Sequence, residues 1–365
     1  MPSESRGKDR EGASVEELLR SLRGELLELF DYSDVQGNRT LVRGELVRAL
    51  DSAIEEAKKS GTADWRTPEV RYKYVSPVLD RLSKVTGFLT PEYLRDTVNR
   101  RLLEGRSLEV DGFGMDPEYL KRLEPFLDFL YERYWRVEVE GMDHVPHRGA
   151  AILFSNHSGT LPWDAIMISK AVRREHPEKR QPRFLVEDLF MTVPFLAPFL
   201  SRMGLVRASR ENARRLLKQG DVVGVFPEGA KGISKYYKER YQVQRFGRGG
   251  FVRLALSSGA PLIPVAVVGA EETMPMIGKL TATARAIGLP YLPITPTWPA
   301  LGPLGLVPFP TKWNIKIGPP IDLSKHGKKA LDDEILINQI TEESRATIQE
   351  MIYELLKNRK SAWTG

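Results

Sequence analysis

Ala150-Ala151-Ile152-Leu153-Phe154-Ser155-Asn156-His157-Ser158-Gly159 is an apolar run that ends abruptly in a polar turn. A short run of this kind, bounded by turn residues, reads as a strand buried on both faces, as in the middle of a parallel sheet. A second run, Val222-Val223-Gly224-Val225-Phe226, ends the same way in Pro227-Glu228-Gly229. In open α/β sheets the groups that meet ligands gather at the carboxyl ends of strands. Two polar motifs far apart in sequence are therefore expected to share one crevice.

The pattern around these runs supports such a sheet. Trp135-Arg-Val-Glu-Val-Glu140 alternates as a strand, and Gly141 ends it. Further strand-like runs lie at 183–186, 262–268 and 312–317, with helical spacing near 163–173, 188–202, 209–219 and 248–258. Alternating strands and helices predict an α/β domain, a mainly parallel sheet covered by helices, over 134–330. The helical pattern at 331–358 predicts that 331–365 forms a closing helix packed on that domain. Upstream, 1–14 reads as a disordered tail and 15–133 as an all-helical region. Its first helix opens on a capping box, Ser14-Val-Glu-Glu17. Later helices are expected at 41–59, 68–86, 91–103 and 117–133. Thr90 and Asp116 serve as N-caps for the last two, with Pro91 and Pro117 at the first helical position.

The 365 residues are 41% hydrophobic and 28% charged, which suits a soluble surface over a sizeable core. Cysteine is absent, which excludes disulfides, thiolate metal sites and cysteine nucleophiles. The net charge of +6 is modest. It fits an anionic membrane surface or a phosphorylated substrate, and nucleic acid is not expected as a partner. The polar N-terminus does not read as a signal peptide. The uncharged stretch 286–311 is long enough to span a bilayer, but its prolines break any helix. These features predict a cytoplasmic protein lying peripherally on the inner face of a membrane.

His157 follows a buried strand, and Asp164 stands beyond Leu161-Pro162, where a new helix can start. A carboxylate there fixes the imidazole tautomer, leaving the other ring nitrogen to take a proton near neutral pH. No Gly-x-Ser-x-Gly elbow supplies a serine nucleophile, and Gly278-Lys279 lacks the rest of a P-loop. His144 and His147 read as a surface turn, so no metal site is predicted.

Asn156-His157 with Asp164, Gly204-Leu-Val-Arg207-Ala-Ser-Arg210, Phe226-Pro-Glu-Gly229 and Pro261-Leu-Ile-Pro264-Val265 occur in that order. Together they resemble the four blocks of the glycerolipid and lysophospholipid acyltransferase family, over roughly 135–320. The resemblance implies transfer of a fatty acyl group from acyl-CoA or acyl carrier protein to a lipid hydroxyl. No cofactor is held permanently. It also implies that His157 is the base and Asp164 its orienter. Asn156, Pro227, Glu228, Gly229 and Lys231 then fall at the substrate, and Arg207 or Arg210 holds a phosphate. A homodimer is compatible with it.

Three departures refine the expectation. Six residues separate His157 from Asp164, where four are commoner in the family. This spacing resembles the branch related to monoacylglycerol and diacylglycerol acyltransferases. Glu187 and Asp188 stand where glycerophosphate branches usually carry a lysine, and two carboxylates disfavour an acceptor phosphate. Lys231 replaces the usual arginine and lacks its bidentate fork.

Two apolar stretches read either as plain core or as a lipid approach: Leu189 to Leu200, with Phe195 and Phe199, and the proline-rich run holding Leu292, Trp298 and Leu304. The basic run Lys231, Lys235, Lys238, Arg240, Arg245 and Arg248 reads either as a plain solvated face or as a contact for anionic headgroups. Two other functions fit the same residues: a lipid-binding or membrane-tethering protein without turnover, and a thioesterase or lipase in which His157 activates water.

Overall fold

The structure, a computed structural model, describes residues 110–364 except 160, 188–189, 191–195 and 287–290, together with ten positions between 20 and 58. Those ten are all helical. Most of the expected N-terminal helices, and Asp188 and Phe195, lie outside the described residues. The chain divides into two compact units, 101–277 with 295–365, and 1–100 with 278–294.

The first unit holds a seven-stranded sheet: β1 (Glu138–Glu140), β2 (Ala151–Ser155), β3 (Arg183–Val186), β4 (Val206–Arg207), β5 (Val222–Val225), β6 (Leu262–Val268) and β7 (Asn314–Ile317). The spatial order is β1-β7-β6-β2-β5-β3-β4. All neighbours pair in parallel except β6 with β7. The sheet is therefore mainly parallel, as expected, with one antiparallel return near its edge. β3, β6 and the core of β2 fall where the apolar runs place them. The two-residue β4 carries too little pattern to be read in advance.

β2 is central, and all five of its residues are buried. Its alternate side chains feed two cores. Ala151 and Leu153 face one layer with Trp135, Met167, Ile168 and Trp313. Ile152 and Phe154 face the other, with Leu216, Val252, Ile337 and Ile352. Burial of each large side chain contributes about 1.5–3 kcal/mol, so a polar residue in β2 would be costly.

The helices are α1 (Pro117–Asp128), α2 (Trp163–Glu175), α3 (Leu196–Arg202), α4 (Arg210–Gln219), α5 (Ala230–Ile233), α6 (Gly250–Ser258) and α7 (Glu334–Asn358). Asp116 caps α1 by accepting from the Tyr119 amide at 3.0 Å, with Pro117 at its first position. Although α1 falls in the expected N-terminal region, its buried Leu120 and Leu127 share the core of the sheet. α4 is capped by Ser209 and stopped by Gly220 in the left-handed region. α7 puts Ile337, Ile340, Ile348 and Ile352 onto the second core. Among the described residues, no helix is long and apolar enough to cross a membrane.

In the other unit, Gly278–Leu280 and Leu292–Ile294 form an antiparallel hairpin around a short helix, Thr281–Ala286. Leu292 is half-buried there.

Candidate active site

Strand register brings the two opening motifs together. β2 and β5 are neighbours with Phe154 opposite Val225, so the residues three places beyond each, His157 and Glu228, leave the sheet side by side. The His157 amide donates to Glu228 Oε1 at 2.8 Å.

His157 Nδ1 lies 2.7 Å from Asp164 Oδ2. Asp164 is fully buried in the first turn of α2. Its Oδ2 also accepts from the Ser158 amide at 2.9 Å, and its Oδ1 from the Ala165 amide at 2.8 Å. Pro162 stands at the N-cap of α2, so Asp164 falls in the first turn and its carboxylate reaches back to the ring. The ring stacks on Phe226, with centroids 4.1 Å apart and planes 10° apart. Phe226 in turn stacks on Phe184 at 5.1 Å. This column needs Gly224, because a Cβ there would stand 2.5 Å from the Phe184 ring. Among the described residues no hydrogen bond engages His157 Nε2, and its side chain keeps 12% exposure.

Several residues expected at the substrate do something else. Asn156 is fully buried and pairs with the β6 main chain, donating to Val267 O at 3.0 Å and accepting from Val267 N at 2.9 Å. A fully buried side chain paired through both its polar atoms locks the turn to the sheet. Glu228, expected at the acceptor, turns inward. Besides the His157 amide, it accepts from the Gln244 amide at 2.7 Å and meets Lys235 Nζ at 3.3 Å. Lys235, part of a run expected to lie in solvent or on headgroups, is drawn inside with a side chain only 5% exposed.

Pro227 supplies its carbonyl to the Gly247 amide at 3.0 Å. Gly229 has φ +55°, and a Cβ there would come within 2.9 Å of Glu187 Oε1. The Glu187 carboxylate therefore closes over this turn. Gly232, in α5, is tighter still: an added Cβ would meet His157 Cβ at 2.6 Å and Glu228 Cβ at 2.9 Å. Lys231 is exposed.

Arg207 and Arg210 are both exposed. Arg210 lines a cleft of about 550 Å³ with Arg214, Arg253, Pro227, Phe251 and Leu331. That cleft sits on the face of the sheet opposite Phe226, because Leu185 and Val225, which also line it, point to the second core. Phe199 packs against the first core and meets Tyr119 edge-on at 6.5 Å. Trp298 is half-buried, whereas Leu304 is 74% exposed, beside exposed Leu301, Leu306 and Val307.

A half-buried, oriented histidine at a strand end, with a glutamate fixing its main chain, is the arrangement in which the first and third of the ordered blocks meet. The family model described as Acyltransferase matches residues 136–268, which span the sheet from β1 to β6. An uncharacterised protein of Mycobacterium leprae is 37% identical over 91% of this chain and 87% of its own length. The chain belongs to the acyltransferase family. This acyltransferase is also similar to the DGAT1/2-independent enzyme synthesizing storage lipids of Gallus gallus, at 23% identity over 60% of each chain. The 1-acyl-sn-glycerophosphate acyltransferase structure from Thermotoga maritima aligns with a TM-score of 0.43 and 19% identity, over 74% of this acyltransferase and 90% of that chain.

Proposed function

We propose that this acyltransferase moves a fatty acyl group from a thioester donor, acyl-CoA or acyl carrier protein, to a hydroxyl of a glycerolipid or lysophospholipid. The observation that carries the reading is the 2.7 Å contact between His157 Nδ1 and Asp164. With the proton held on Nδ1, Nε2 presents a lone pair. It takes the acceptor hydroxyl proton as the oxygen attacks the thioester carbonyl. The C–O bond forms, the C–S bond breaks, and the proton on Nε2 passes to the departing thiolate. Such base catalysis contributes about 10²–10⁴-fold.

Arg207 and Arg210 take a phosphate of the donor in this reading, and Gly229 and Lys231 flank the acceptor. The Glu187 carboxylate near Gly229 favours an acceptor without a phosphate of its own, since like charges at about 4 Å repel by about 4 kcal/mol at an effective dielectric of ~20. The name of the Gallus gallus relative, which refers to storage lipids, agrees with a neutral acceptor. The exposed leucines at 301, 304 and 306 rest peripherally on the inner face of a membrane, from which the acceptor is drawn.

The test is purified protein with radiolabelled acyl-CoA or acyl carrier protein and a panel of monoacylglycerol, diacylglycerol and lysophosphatidate. Acylated lipid that depends on the acceptor supports the reading. Free fatty acid formed without any acceptor would replace it with thioester hydrolysis, and vesicle binding with no turnover would leave a tethering protein.

A further inference from the structure

Behind the base lies a group of buried charges that the reaction above does not use. Lys235 Nζ stands 2.5 Å from Glu271 Oε1 and 3.3 Å from Glu228 Oε2. The far oxygen of Glu271 accepts from the Tyr241 amide. Glu228 thus has three partners, the amides of His157 and Gln244 and the Lys235 ammonium, and one of them is the main chain of the catalytic histidine. All three charged side chains are nearly inaccessible to solvent.

An isolated buried carboxylate takes up a proton, because burial disfavours its charge. Here two carboxylates share a single ammonium. Burial works against the Lys235 charge, but Glu271 and Glu228 outweigh it and hold its pKa above the ordinary lysine value. Burial also pushes the Glu271 pKa up, against the pull of Lys235 and with the Glu228 charge adding to the rise. Other charged and titratable groups nearby include His157 with Asp164 in front of Glu228, buried Tyr241 beside Glu271, and Arg240, Tyr236 and Tyr237, which line a small cavity with Lys235 and Glu271. Arg240 is exposed and lies over the Tyr237 ring at 4.4 Å. Glu272 next to Glu271 is taken by Arg359 at 2.6 Å. Lys235 is therefore the cation in direct contact with Glu228.

We propose that Lys235 is a positioning residue for acyl transfer: it holds Glu228 in place, so that Glu228 clamps the His157 main chain and sets the base, with Glu271 anchoring the ammonium from behind. This inference rests on the acyl-transfer reading for its kinetic consequence but not for its structural one. Without Lys235, the Glu228 and Glu271 carboxylates face each other with no cation between them, and Glu228 is pushed from its place. Its bonds to the amides of His157 and Gln244 lengthen, so the His157 turn loosens. Misplacement of a reacting group by about 1 Å can cost about 10²-fold in rate.

The experiment compares full-length wild type, Lys235→Met and the charge-reduced Lys235→Met/Glu271→Gln. It reads kcat and KM at one pH, and the His157 main-chain amide and ring signals by NMR on histidine-labelled protein, with His157→Gln assigning them. In Lys235→Met, kcat is expected to fall about 10²-fold with KM little changed. The His157 amide signal shifts as its bond to Glu228 lengthens. The double variant, with one carboxylate fewer, moves that signal back toward wild type and recovers part of kcat. If Lys235→Met does not fold, the double variant carries the test, with a displaced amide signal and a reduced kcat still expected. A folded variant lacking Lys235 that shows wild-type kcat and an unmoved His157 amide signal overturns the inference. Wild-type protein inactive on every donor and acceptor refutes acyl transfer instead, and the NMR comparison then still decides what Lys235 does to Glu228 and His157.

Discussion

Asp164 Oδ2 sits 2.7 Å from His157 Nδ1 and 2.9 Å from the Ser158 amide, so one buried oxygen orients both the ring and the turn that carries it. The carboxylate thereby fixes the tautomer, the ring plane and the loop together. Asp164→Asn retains the shape but loses the acceptor that selects the Nδ1–H tautomer. A drop in kcat of about 10²–10⁴-fold is expected, measured by initial rates of acyl transfer. Loss of one buried amide partner also costs about 1–3 kcal/mol, visible as a lower Tm.

Gly232→Ala introduces a methyl 2.6 Å from His157 Cβ. Overpacking of this kind costs about 1–3 kcal/mol, and here it displaces His157. The expected result is a modest fall in Tm with a larger fall in kcat. An unchanged kcat would show that His157 need not hold its place against α5.

Asp111 pairs with Arg183 and accepts from the amides of Phe113 at 2.8 Å and Met115 at 2.9 Å. Burial opposes its charge, but these partners prevail and hold its pKa below the ordinary carboxylate value. A depressed carboxylate stabilises the fold above its unfolded pKa of about 3.9, and that stabilisation is lost as pH falls through the lower folded value. Asp111→Asn should therefore lower Tm at neutral pH. The gap from wild type should close as the pH drops below about 4. A gap that is constant with pH would contradict the assignment.

Leu301 and Leu304 are exposed at 58% and 74%. Each leucine buried in lipid contributes up to about 1.5–3 kcal/mol. Leu301→Asp/Leu304→Asp should weaken binding to phospholipid vesicles by at least about 10-fold in a flotation assay. Turnover of a water-dispersed acceptor should be spared.

The acceptor should respond to Glu187, whose carboxylate reaches the Gly229 turn. Glu187→Lys should raise activity on lysophosphatidate relative to a neutral monoacylglycerol. A ratio unmoved in a competition assay would place the acceptor away from this carboxylate.

Much of this was legible in the sequence because the central strands are buried on both faces and read as unbroken apolar runs. β2, β5 and β6 announce themselves in this way, and the parallel pairing then follows from the helical segments between them. The pairing of His157 with Glu228 needed one further fact, the neighbour relation of β2 and β5, which no local pattern carries. The direction of polar side chains was not legible either. Asn156 and Glu228 look like ligand groups at strand ends, yet both turn inward to satisfy main-chain amides and carbonyls. Lys235 sits in a basic run, and its burial is explained by Glu228 together with Glu271, thirty-six residues on. Gly232 could have been suspected from its place in a turn that follows the glutamate, but its contact with His157 is a tertiary fact.

The most direct test of the account is acyl transfer by His157→Ala. With radiolabelled acyl-CoA and the best acceptor of the panel, the variant should remain folded. Its rate should fall about 10²–10⁴-fold at saturating substrate, with little change in donor binding. Wild-type turnover by folded His157→Ala would contradict the central claim that this histidine is the base.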